Sequence, residues 1–144
     1  MRRLASALVL GMLVGGLVAT PVLAKADKVD LVPITGVPGG GAVIFNNSSG
    51  PDNLQVTVQL KKVTPDFTFD VYLFIDGVWY GGAPVGTITT NGVGNATFHM
   101  NAQVAAGGHH VAVDVALPGS GADQYLAPAF TPPQATWGIL MTFK

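Results

Sequence analysis

The stretch Phe67-Thr68-Phe69-Asp70-Val71-Tyr72-Leu73-Phe74-Ile75-Asp76-Gly77 decides how this chain folds. Successive side chains of a strand point to opposite faces, so Phe67, Phe69, Val71, Leu73 and Ile75 share one side and are the first choice for a core. Asp76-Gly77 ends the run with two residues that tolerate positive φ, which suits a tight turn. Val78-Trp79-Tyr80 then reads as a short returning or edge strand.

The same two-residue period extends in both directions. In Leu54-Gln55-Val56-Thr57-Val58-Gln59-Leu60-Lys61 every even position is apolar and every odd one polar, the pattern of a half-buried strand with one wet face. Downstream, Val85–Thr90 and Gly94–Met100 flank Asn91-Gly92, a strong hairpin signal. Ala96, Phe98 and Met100 are expected to face inward there, and Asn95, Thr97 and His99 outward. Residues 110–117 alternate again: Val111, Val113, Val115 and Leu117 lie on one side, and His110, Ala112, Asp114 and Ala116 on the other. Gly107-Gly108 and Pro118-Gly119 mark the ends of that run. Asp30–Thr35 and Ala42–Phe45 read as short strands separated by the glycine-rich segment 36–41, and Trp137–Phe143 as a closing strand after Pro132-Pro133.

No long amphipathic helical period interrupts these runs past residue 24. About seven to nine short strands separated by turn signals predict an all-β antiparallel sandwich, with a barrel as the alternative. Residues 1–24 are of another kind. Met1-Arg2-Arg3 is a short positive start, Leu4–Leu23 is uncharged and apolar, and Ala24 supplies a small residue before a cut. That is the layout of a cleavable signal-peptide helix; an uncleaved helix of this length would be the one route to the membrane. The expectation is a secreted protein, extracellular or periplasmic, with residues 25–144 forming a single domain that buries roughly two-thirds of its unfolded surface.

Composition narrows the partners. The chain has no cysteine, so packing alone must stabilise the exported domain. Past residue 24 it carries five lysines against eight aspartates, a net charge of −3 with histidines neutral, and no arginine or glutamate. Nucleic-acid binding needs a basic face, so nucleic acid is excluded as the expected partner.

The order of these strands, with Phe67-Thr68-Phe69-Asp70-Val71-Tyr72-Leu73, then Gly86-Thr87-Ile88-Thr89-Thr90-Asn91-Gly92, then Gly108-His109-His110-Val111-Ala112-Val113-Asp114-Val115, resembles uncharacterised secreted bacterial immunoglobulin-like β-sandwich proteins. More distantly it is similar to the chordin-type extracellular domain. The resemblance implies an immunoglobulin-like fold and an extracellular location, and it implies no activity.

A catalytic set is not evident, and no enzyme is expected. Ser120 in Pro118-Gly119-Ser120-Gly121 lacks the Gly-x-Ser-x-Gly elbow of a nucleophile, and the aspartate spacing singles out no pair. His99, His109 and His110 are the candidate metal ligands, since imidazole suits copper or zinc. His110 and Asp114 are about 13 Å apart along one strand, so convergence needs the His99 strand paired in register with the His110 strand, with Asp70 as a further ligand. Solvated strand residues are the plainer alternative, and His109, in phase with Val111, reads as partly buried and hydrogen-bonded. A calcium loop of the Asp-x-Asp-x-Asp-Gly type is missing. Asn46, Asn47 and Asn95 fit the Asn-x-Ser/Thr pattern, with no glycan expected in a bacterial-looking chain. Trp79 and Tyr80 are candidates for stacking on a carbohydrate or anchoring a protein, or for capping the fold. No cofactor is expected unless the histidines bind metal. The leading expectation is a non-enzymatic structural, adhesive or self-assembly module acting through its surface or strand edges, with Lys25–Thr35 as a strand donated to a neighbour. Copper or zinc binding and carbohydrate binding are the alternatives.

Overall fold

The computed structural model describes residues 26–129 and 137–144. The signal segment 1–24 and Pro132-Pro133 lie outside the described residues. Ten strands occur among the described residues: β1 Ala26–Pro33, β2 Gly40–Asn47, β3 Leu54–Lys61, β4 Thr68–Ile75, β5 Val78–Trp79, β6 Gly86–Thr89, β7 Ala96–Ala102, β8 Gly107–Ala116, β9 Asp123–Ala127 and β10 Ile139–Phe143. A 3₁₀ turn at Tyr80–Gly82 follows β5. The described chain is all-β, antiparallel, and curled like half a barrel.

The strand order is β5-β4-β8-β9-β1-β2-β3-β7, with β6 also on β4 and β10 also on β8. Curling depends on β1. Its residues 26–31 pair with β2, while Val32 and Pro33 pair with Leu126 and Tyr125 of β9. One strand thus joins the β2-β3-β7 half to the β9-β8-β4 half. Residues 26–33 of the Lys25–Thr35 segment, expected as a strand donated to a neighbour, pair here with β2 and β9 of their own chain.

The concave side holds the core. Val43 and Phe45 of β2, Val56 and Val58 of β3, Val71 and Leu73 of β4, and Val111 and Val113 of β8 are all almost fully buried in one cluster. Phe69 joins them, and Phe67 and Ile75 pack against its edge, as the two-residue period predicts. Ala96, Phe98 and Met100 also pack inward from β7, opposite exposed Thr97 and His99. Tyr125 is fully buried, and its hydroxyl donates to the Pro38 carbonyl at 2.7 Å. Tyr125→Phe leaves that carbonyl without its partner, so a loss of about 1–2 kcal/mol is expected. A lower urea midpoint with an unchanged slope would show it.

The hairpin expectation at Asn91-Gly92 needs correction. The turn forms: the Asn91 side-chain oxygen accepts from the Val93 and Asn95 N–H groups at 3.1 and 2.9 Å. Its flanking strands do not pair with each other. β6 pairs with β4, and β7 with β3, so the turn carries the chain from one half of the sheet to the other. Local turn chemistry fixes the bend, while the apolar stripe of each strand selects its neighbour.

The sequence predicts a polar face along β8 on the opposite, convex side, and the structure differs. Tyr72, Phe74, Ala112, Ala116 and Trp137 form a second buried cluster, with Leu126 packed against it. β4 and β8 are therefore covered on both faces in the middle of the sheet.

Candidate ligand site

The convex cluster encloses a cleft of about 300 Å³, the low end of the size range for small-molecule sites. Strand register sets its floor. Tyr72 of β4 stands beside Asp114 of β8, which stands beside Leu126 of β9. In the neighbouring row Phe74 lies between Trp79 of β5 and Ala112 of β8. The positive φ values of Asp76 and Gly77, 52° and 76°, make the tight turn that returns Trp79 beside Phe74.

The result is an unbroken aromatic wall. The Trp79 ring lies 5.1 Å from Tyr72 and 6.2 Å from Phe74, and Phe74 lies 4.8 Å from Trp137. Trp137 is fixed by its indole N–H, which donates to the Pro128 carbonyl at 2.8 Å. Three of the four rings are buried, whereas Trp79 is 47% exposed. It forms the lip of the cleft.

Acidic groups face this wall. Asp114 is only 4% exposed, and its carboxyl is hydrogen-bonded to that of Asp123. A β-bulge supplies the partner: the register between β8 and β9 shifts after Val115, placing Asp123 opposite Ala116 on the convex face. Bulges re-aim side chains in this way. Burial, followed by the charge and hydrogen bond of Asp123, pushes the Asp114 carboxyl up to about 8. At neutral pH Asp114 therefore keeps its proton. The Oδ1 atom of Asp114 has no hydrogen-bond partner. Asp70, buried on the same face, accepts from the Gly119 N–H at 2.8 Å. Burial, then the charges of Asp70 and Asp114, hold the Tyr72 phenol above its ordinary value, so it remains an O–H donor.

The residues singled out from sequence are distributed differently. Trp79 lines the cleft, but Tyr80 packs against the concave core and its hydroxyl accepts from the Gln103 N–H at 3.2 Å. His99 sits on β7, exposed, with Nδ1 3.0 Å from the Thr57 hydroxyl. β7 pairs with β3, not with β8, so the register needed to join His99 with His110 and Asp70 does not occur. His109 and His110 instead meet at Asp76. One Asp76 oxygen lies 2.7 Å from His109 Nδ1, and the other accepts from the His110 backbone N–H at 2.8 Å. The His109 hydrogen bond and then the His110 N–H hold the Asp76 carboxyl below its ordinary value. Among the described residues, no three His, Cys, Asp or Glu side chains gather as metal ligands do. Ser120 is a loop residue whose hydroxyl donates to the Leu117 carbonyl at 3.3 Å.

The cleft is not legible in the sequence because Tyr72 and Phe74, Asp114, and Asp123 lie on three different strands and meet only through their pairing. The available signal was Val71-Tyr72-Leu73-Phe74-Ile75, five apolar residues in succession, which marks a strand buried on both faces. Comparison of the chain with family models, with curated proteins and with solved structures finds no match.

Proposed function

We propose that this chain is an exported, non-enzymatic β-domain, an immunoglobulin-like sandwich in its overall plan, that binds a small ligand in the convex cleft. The observation that carries this is Trp79. A large ring stays half in solvent while its neighbours Tyr72 and Phe74 hold it at the mouth of a ready-made cavity. Aromatic faces with a few polar groups beside them are the usual lining of such sites.

A hydrolytic role fits less well. Carboxylates that cleave glycosides stand about 5–9.5 Å apart, and Asp114 and Asp123 are in hydrogen-bond contact. Strand donation is disfavoured because β1 is already paired with β2 and β9. Carbohydrate remains a ligand class for the cleft, with Trp79 as the stacking ring and without Tyr80.

Calorimetric titration with a panel of small amines, alcohols and oligosaccharides tests the proposal. Trp79→Ala is expected to weaken any bound member at least about tenfold, the range of a lost aromatic anchor. Because Trp79 is half-exposed, its unfolding midpoint should move little. Binding that survives the substitution unchanged would place the site elsewhere.

A further inference from the structure

We propose that the ligand of the cleft is a small organic ammonium cation, its N–H donating to Asp114 and its carbon skeleton lying on the Trp79, Tyr72 and Phe74 rings. This rests on the cleft being a ligand site and names the class of ligand it takes. Two independent features converge on it. The first is the aromatic wall, since ring faces attract cations as well as apolar groups. The second is the orphaned oxygen: Asp114 is more than nine-tenths buried, lines the cleft, and has an Oδ1 atom with no partner. A carboxyl oxygen can only accept unless it holds the proton, so the group it lacks is a donor.

No side chain of the cleft supplies a cationic donor, and the Tyr72 hydroxyl beside Asp114 is neutral. The lining residues include no lysine, arginine or histidine, and the nearest acidic neighbour adds negative charge. Asp70 is already engaged by the Gly119 N–H. An ammonium ion resolves the conflict between the two carboxyls by replacing the proton that Asp114 holds. A calcium or magnesium ion does so less well, because each takes six or more oxygen ligands, and no group of three ligating side chains for any metal exists among the described residues. The cleft volume of about 300 Å³ limits the cation to the small end of ligand sizes.

Replacement of a proton by a cation has a measurable signature. The groups facing Asp114 are Tyr72 and Asp70 from β4 and Asp123 from β9. The phenol stays protonated in this range, so Asp114 is the group that releases the proton. Binding of the cation then releases up to one proton, and affinity climbs by at most about tenfold per pH unit until the carboxyl ionises by itself.

The test uses cyclohexylamine and benzylamine, with cyclohexanol, benzyl alcohol and a chitin trisaccharide as uncharged probes, titrated calorimetrically between about pH 6 and pH 8.5. Expected are binding of the amines at least about tenfold tighter than of the alcohols, affinity that rises with pH, and proton uptake by the buffer. Asp114→Asn should remove the preference for amines and the pH slope together, and Asp123→Asn should weaken both. Equal binding of amines and alcohols, or an amine affinity flat in pH, overturns the ammonium assignment. If the trisaccharide or the alcohols bind and Trp79→Ala abolishes that binding, the cleft stands as the ligand site and only the cation is wrong. If no probe binds, both are overturned.

Discussion

Asp114→Asn is expected to make the protein more stable at about pH 9 by about 3 kcal/mol and to flatten its stability against pH. The native carboxyl keeps its proton up to about pH 8, against an ordinary value of 3.8. Between those two values the folded state binds more protons than the unfolded one, so stability falls as pH rises and levels off above about 8. Each unit of difference is worth about 1.4 kcal/mol, and the full span would exceed about 5 kcal/mol. Relaxation of exposed Asp123 and water entering an open cleft reduce that to about 3 kcal/mol. Asparagine reproduces the shape of the protonated acid, and its amide N–H can donate to Asp123, so the variant holds the pair in its favourable form at every pH.

Urea unfolding at about pH 5, 7 and 9 would measure this. The wild type should lose stability across the series while the variant changes far less. The wild type being as stable at the alkaline end as at the acid end would remove the basis for a proton retained by Asp114. Asp76 contributes a slope of the opposite sign. Its carboxyl is held below the ordinary value by His109 and His110, so its stabilisation is present above the unfolded value and is lost only as the solution becomes strongly acidic. The two effects fall in separate ranges of pH and do not obscure each other.

Tolerating the buried Asp114 carboxyl beside a second acid is a cost in stability, and such costs concentrate at binding sites. The rest of the fold is locally consistent, which is why so much of it was legible. Phe67, Phe69, Val71, Leu73 and Ile75 are legible as core because alternation is a local property, visible in any strand with one buried face. The convex face was hidden because Ala112 and Ala116 are small, Tyr72 carries a polar tip, and Asp114 reads as solvated. Their burial depends on Trp137 arriving from a distant segment and lying on Phe74, which no local pattern announces. Asp123 was still less visible. It reaches the convex face only through the bulge between β8 and β9, a property of pairing across two strands. Asp76 shows the same limit: as a turn residue it was plain, but its grip on His109 and His110 requires β4 and β8 to be neighbours.

Gly41→Ala is expected to be among the most damaging single substitutions in the domain, although it adds one methyl group to a strand. A Cβ at position 41 would stand 1.8 Å from the Gln59 carbonyl oxygen and 2.9 Å from its carbon. Both atoms belong to the backbone of β3, so no side-chain rotation relieves the contact. Relief requires β2 and β3 to separate where Gly41 pairs with Leu60, and these strands carry Val43, Phe45, Val56 and Val58 into the concave core. Even a partial separation opens voids beside those side chains, and buried cavities cost several kcal/mol. A loss of about 3 kcal/mol or more is therefore expected, large against a typical domain stability of about 5–15 kcal/mol. Gly108→Ala is the control. Its added methyl would meet the end of the Leu140 side chain at 3.6 Å, an ordinary contact, and Gly108 has no positive φ to forbid it. Thermal unfolding of the two variants should therefore diverge sharply: Gly108→Ala close to wild type, Gly41→Ala with a much lower midpoint or no cooperative transition. A Gly41→Ala protein as stable as the control would mean that β2 and β3 are not packed as closely as the structure places them.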